Sequence, residues 1–147
     1  MQITPLLLST LFAASTVLAA PATSVSMMAA SPEWTITNMK RVCNAKDTSC
    51  TWTFGIEVGS DAAAATACTY VVKGANAADA NGGPTDCGDY TITSGWSGQF
   101  GPGNGFTTFS VVNNTARQII WPAYTDKQVK AGKVVKPNQS YAPANLP

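Results

Sequence analysis

Histidine is absent from this 147-residue chain. With it goes the usual imidazole base, so no Ser-His-Asp or Cys-His arrangement can be assembled. Charge is sparse too, at 12% Asp, Glu, Lys and Arg for a net of +1. Arg117, Lys127, Lys130, Lys133 and Lys136 gather late in the chain, while Glu57, Asp61, Asp79, Asp86 and Asp89 lie mid-chain. The basic end lacks interleaved aromatics and the density of a nucleic-acid stripe, so it reads as a solvated end, and no nucleic-acid partner is expected. No phosphate-cradling loop stands out either: Gly101 to Gly105 (GPGNG) is followed by neither a helix signal nor the Lys and Ser/Thr of a P-loop, and reads as a turn. Hydrolysis by a carboxylate pair passes the histidine test. Its acids are poorly placed, because Asp79 and Asp86 fall where Asx chemistry builds turns, and Glu57 alternates with apolar neighbours toward solvent. No catalytic residue, cofactor or metal site is expected.

Long apolar runs are also scarce. One occurs, Pro5 to Ala20, ending in small residues before Pro21. It is shorter than the roughly 20 residues of a membrane span, and reads as the core of a signal peptide at 1–19, although no Lys or Arg precedes it. Val17 and Ala19 suit cleavage near Ala20. The expected mature protein is exported, does not span a membrane, and has a polar lead-in at 20–32 before a single β domain at 33–147 with an extended C-terminal tail.

A domain of this size has a marginal core, and export would place Cys43, Cys50, Cys68 and Cys87 in an oxidising compartment. Four cysteines without a redox motif read as two disulfides, in one of three pairings. Neighbour pairing, Cys43 with Cys50 and Cys68 with Cys87, is preferred because each would close a short polar loop, contributing about 3 kcal/mol apiece in loop-entropy models. Oxidised cysteines offer neither a thiolate nucleophile nor a zinc ligand.

Strand signals run from Trp34 onward. Trp34 and Ile36 open the first strand, and Trp52, Phe54, Ile56 and Val58 alternate with polar or small residues as a half-buried strand does. Thr69 to Lys73, Tyr90 to Thr93, Phe106 to Val112 and Ala116 to Trp121 continue the series, with a turn at Asn113 to Thr115. The stretch 74–86 (GANAADANGGPTD) reads as a long loop. Helical propensity is confined to Asp61 to Thr66 and Thr125 to Ala131, one or two turns at most. After Gly132 the prolines predict an extended run across the surface. The fold expected is all-β, a small antiparallel β-barrel or β-sandwich with long loops.

Among the aromatics, Phe106 and Trp121 read as core. Trp96 and Tyr124, beside Gly, Ser, Pro or Thr in apparent loops, read as candidate binding-surface residues. Asn113 (Asn-Asn-Thr) and Asn138 (Asn-Gln-Ser) are candidate N-glycosylation sites.

An ordered set of short motifs carries a resemblance: Trp34-Thr-Ile36, Asp47-Thr-Ser-Cys-Thr51, Cys68-Thr-Tyr70, Trp96-Ser-Gly-Gln-Phe100, Gly103-Asn-Gly-Phe-Thr-Thr108 and Pro122-Ala-Tyr-Thr-Asp126. Together they resemble small secreted proteins of filamentous fungi that include hypersensitive-response-inducing elicitors of plant pathogens. The Trp-x-Ile strand and the loop from Cys68 to Cys87 are more loosely similar to the Alternaria major-allergen β-barrel family. The resemblance implies an apoplastic effector or elicitor with no catalytic motif to carry over; the protein is expected to be a monomer, with a plant cell-surface receptor or another apoplastic protein as partner. Rival expectations are a cell-wall polysaccharide-binding surface protein and a small hydrolase or enzyme inhibitor.

Overall fold

In a computed structural model, which describes residues 30–60 and 65–147, the first strand, β1 (Trp34–Cys43), changes step halfway. Trp34 and Ile36 face inward. Past them the register against β2 (Ser49–Val58) shifts between Thr37 and Lys40, and Asn38 takes a left-handed φ of 52°. Two residues of β1 there oppose Phe54, a β-bulge. One extra residue exchanges the faces of everything after it, so Met39 and Arg41 are buried while Val42 is exposed. The signal peptide, most of the lead-in and residues 61–64 of the expected helical turn lie outside the described residues.

β3 (Thr66–Lys73) pairs with β2, and with β9 (Gln139–Tyr141) the order of the first sheet is β3-β2-β1-β9. Cys50, Trp52, Phe54 and Ile56 from β2, with Cys68, Tyr70 and Val72 from β3, alternate onto the buried face. With β4 (Gly82–Cys87), β5 (Tyr90–Ser97), β6 (Phe106–Asn113), β7 (Gln118–Ile120), β8 (Ala123–Thr125) and β10 (Ala144–Asn145), the second sheet runs β10-β7-β6-β5-β4, and β8 also pairs β6. Its central strands, β5 and β6, bury Tyr90, Ile92, Phe109 and Val111 against the first sheet. The two sheets do not close on each other, so of the two expected architectures the fold is the antiparallel sandwich. Phe109 lies at its centre, in edge-to-face contact with Trp52 at 4.9 Å, Tyr70 at 5.8 Å and Tyr124 at 6.3 Å between ring centroids. Such pairs add about 0.5–1.5 kcal/mol each beyond the area they bury.

Both disulfides are Cys43–Cys50 and Cys68–Cys87. The first clamps the β1–β2 hairpin. The second does more than close a loop, because it joins β3, at the edge of one sheet, to β4 (Gly82–Cys87), at the edge of the other. The existence of β4 corrects the expectation of a structureless segment at 74–86. Its Pro84 is tolerated because an outermost strand has one side without a ladder to donate to. The tail carries two short strands. β9 (Gln139–Tyr141) pairs with β1 and β10 (Ala144–Asn145) pairs with β7 (Gln118–Ile120), so the last residues cap one edge of each sheet instead of merely crossing the surface.

Between β7 and the next strand, Trp121 is 53% exposed, against its expected place in the core. Tyr124 is 1% exposed, against its expected place on the surface. The reason is register: β8 (Ala123–Thr125) pairs Tyr124 with Thr107, which shares the inward face of β6 with Phe109. Trp121 sits in the connection before β8, where no strand covers it. The short helix α1 (Asp126–Val129) follows, with Thr125 and Gln128 forming a capping box, and a 3-10 turn at Lys130–Gly132 completes the helical stretch expected at Thr125 to Ala131.

Candidate functional site

One end of the sandwich opens into a cleft of about 690 Å³, and its floor is Arg41, turned inward by the β1 bulge. The guanidinium lies over the Trp52 ring at 5.2 Å. Its Nη1 donates to Asp126 Oδ1 at 2.8 Å and to the Ala78 carbonyl at 3.0 Å. Asp126 opens α1, directly after the Thr125 cap. Its second oxygen, Oδ2, accepts the Trp96 indole N–H at 3.0 Å. One carboxylate thus fixes a cation and an aromatic ring in a single arrangement.

The first wall is positioned by the disulfide-clamped hairpin. Asp47 accepts the Ala77 amide through its backbone carbonyl at 2.8 Å and the Ala78 amide through Oδ1 at 2.9 Å. These bonds pin the 3-10 turn Ala77–Asp79 to the hairpin loop, and the turn presents the Ala78 carbonyl and the Asp79 carboxylate to the cleft. Asp79 is exposed, yet partial desolvation against the cleft wall raises its pKa above the ordinary 3.8, the charges of Asp126 and Asp47 push the same way, and Arg41 opposes them.

The opposite wall is the glycine-rich loop after β5. Gly101 and Gly103 have φ values of 87° and 73°, which require glycine. Gly105 lies so close to the ring that an added Cβ would stand 2.7 Å from Trp96 Cζ2. Lys127 closes the rim by donating to Asn104 Oδ1 at 3.0 Å, and Lys130 lines the same side.

Of the candidate binding-surface residues, Trp96 belongs to the cleft, half-buried at its wall. Tyr124 does not; burial pushes its phenol far above the usual 10.0, the neighbouring Tyr141 hydroxyl pushes the same way, and its own hydroxyl makes no hydrogen bond of ordinary geometry among the described residues. The sequons lie elsewhere. Asn113 ends β6 with its Oδ1 taken by the Ala116 amide, and Asn138 is exposed beside Asn38. Sequence reasoning passed over Arg41 and read Asp79 only as a turn former, while Asp126 figured only as the last residue of a motif. A capping box signal at Thr125 and Gln128 was available for Asp126, but nothing in the sequence marks the bulge that buries Arg41.

Cys43, Asp47 and Cys50 come together as metal-ligating residue types. Both sulfurs are joined in one disulfide, so no thiolate is offered to an ion. Among the described residues no helix is long and apolar enough to cross a membrane.

Fold and cleft together define a small disulfide-stapled β-sandwich with a charged concave end. A family model described as Effector TSP1 matches residues 35–146. A relative from Hypocrea virens named Effector TSP1 is 69% identical over 149 residues, covering 100% of both chains. The chain belongs to the Effector TSP1 family, a family of fungal effectors.

Proposed function

We propose that this protein is a secreted effector perceived by plant cells through its folded surface, which answer with defence and hypersensitive cell death, and that it acts by binding and not by catalysis. Membership of the Effector TSP1 family carries the reading. The absence of histidine from the sequence and the engagement of all four cysteines in disulfides support a non-catalytic role, since the common nucleophile and base pairs are missing. Two disulfides, one of them joining the sheets, suit an oxidising, protease-rich extracellular space. The partner in this reading is a plant cell-surface receptor or another apoplastic protein.

The test is infiltration of the purified, disulfide-intact protein into leaves, scored for cell death and oxidative burst, beside a reduced and alkylated control. A response to the intact form alone is the expected result. An equal response to the unfolded control would overturn recognition of a folded surface, and no response in any host would overturn the elicitor role.

A further inference from the structure

We infer that the cleft at Arg41 is a binding site for a sugar acid, the uronate unit of an acidic oligosaccharide. Arg41 is the reason to expect an anion. Its side chain is 9% exposed at the cleft floor, and only its Nη1 is committed, to Asp126 and Ala78. The remaining donors on Nη2 and Nε have no hydrogen-bond partner among the described residues. A carboxylate is the group that accepts from such a planar fork in pairs.

The charge inventory agrees. Arg41, Lys127 and Lys130 face Asp79 and Asp126 in the cleft, three cations against two carboxylates, for a local charge of +1. Asp126 is already neutralised by Arg41 and by the indole N–H. An incoming carboxylate therefore meets two rim lysines and one opposing acid, Asp79.

The shape selects a sugar over a protein loop. One wall carries no side chains at Gly98, Gly101, Gly103 and Gly105, and the space where Gly101 and Gly103 would hold a Cβ is open for at least 4 Å. That leaves a broad trough beside an indole whose orientation is locked by Asp126, the setting in which the apolar face of a pyranose ring can lie on an aromatic. A protein loop would need apolar anchor pockets. Here the apolar surface is the Trp96 ring, Pro102 and glycine backbone, and the rest is charged groups.

The proposal does not rest on the elicitor reading. It is tested by following amide and indole resonances of the disulfide-intact protein during titration with an oligogalacturonate, its methyl ester, a neutral galactan oligomer and a glutamate peptide. The oligogalacturonate should shift the Trp96 indole N–H and the amides of 98–105, while the methyl ester and the neutral oligomer leave them in place. Lys127→Ala combined with Lys130→Ala should weaken binding about tenfold. Both side chains are exposed, so the fold is retained, and Arg117→Gln at the far end of the sandwich should leave binding unchanged. Equal shifts with the methyl ester, shifts with the glutamate peptide in place of the sugar, or no shift with any ligand at millimolar concentration would each overturn the assignment. Leaf infiltration is a separate readout, so binding without cell death retains the cleft and removes only the elicitor role.

Discussion

Trp52 and Trp96 lie in two regions built on different terms. Between the sheets Trp52 meets Phe109 edge to face, and the neighbours around it are Phe54, Tyr70 and Tyr124. At the cleft Trp96 is held by one hydrogen bond to Asp126, and Asp126 is held by one buried guanidinium. The interior draws on contact area, which several alternative apolar residues could supply. The cleft depends on a few polar atoms within 3.0 Å of one another, where loss of one partner strands the others. Damage to the first region should therefore appear as lost stability, and damage to the second as lost geometry with a smaller stability change.

The largest effect should come from Phe109→Ala, which empties the centre of the sandwich and lowers the unfolding free energy by about 4 kcal/mol in denaturant titration. Replacing Cys68 and Cys87 by Ala releases the staple between sheets, whose cysteines are 19 residues apart, and should cost about 3 kcal/mol in the same measurement. A loss below 1 kcal/mol would show that core contacts alone hold the sheets together. Asp126→Asn sharpens the contrast. It leaves Arg41 without its counter-charge, yet Asp126 is 25% exposed, so a cost of about 2 kcal/mol is expected, below that of a fully buried pair. Trp96 fluorescence should shift in this variant, and an unchanged spectrum would show that Asp126 does not hold the ring.

Tyr124→Phe should change the unfolding free energy by less than about 1 kcal/mol in either direction, because the buried hydroxyl it removes makes no hydrogen bond of ordinary geometry and has the Tyr141 hydroxyl beside it. A clear destabilisation would mean that this oxygen makes a contact in solution. The smallest effect concerns pH. Folding raises the Asp79 pKa above 3.8, so the folded state binds its proton more tightly and loses stability as pH rises through the folded value. Asp79→Asn should therefore raise the melting temperature slightly near neutral pH and leave it unchanged well below 3.8. An opposite sign would place Arg41, not burial, in control of Asp79.

The fold was more legible than the site. Alternation in Trp52 to Ile56 sets the inward face of β2, because side chains on a strand point to opposite sides in turn, while Val58, expected on the same face, is exposed at the strand's end. The same logic fails at 74–86, where composition reads as loop and the pairing partner, β5, supplies the ladder that turns its end, from Gly82 on, into β4. It fails again at Trp121 and Tyr124, three residues apart in a region where two short strands break the period. Trp96 stands out in the sequence because an aromatic among glycines is conspicuous, and it lines the cleft. Arg41 was not, since a cation between Lys40 and Val42 gives no sign of its burial.

By itself the sequence determined the all-β class, the exclusion of histidine chemistry and the supply of four cysteines, since these follow from composition and local periodicity. Tertiary structure alone decided that the tail would edge both sheets, that one disulfide would cross between them, and that a single bulge would turn Arg41 inward beneath Asp126. Those outcomes depend on register and on long-range pairing, and a shift of one residue in register reverses which face of a strand is buried.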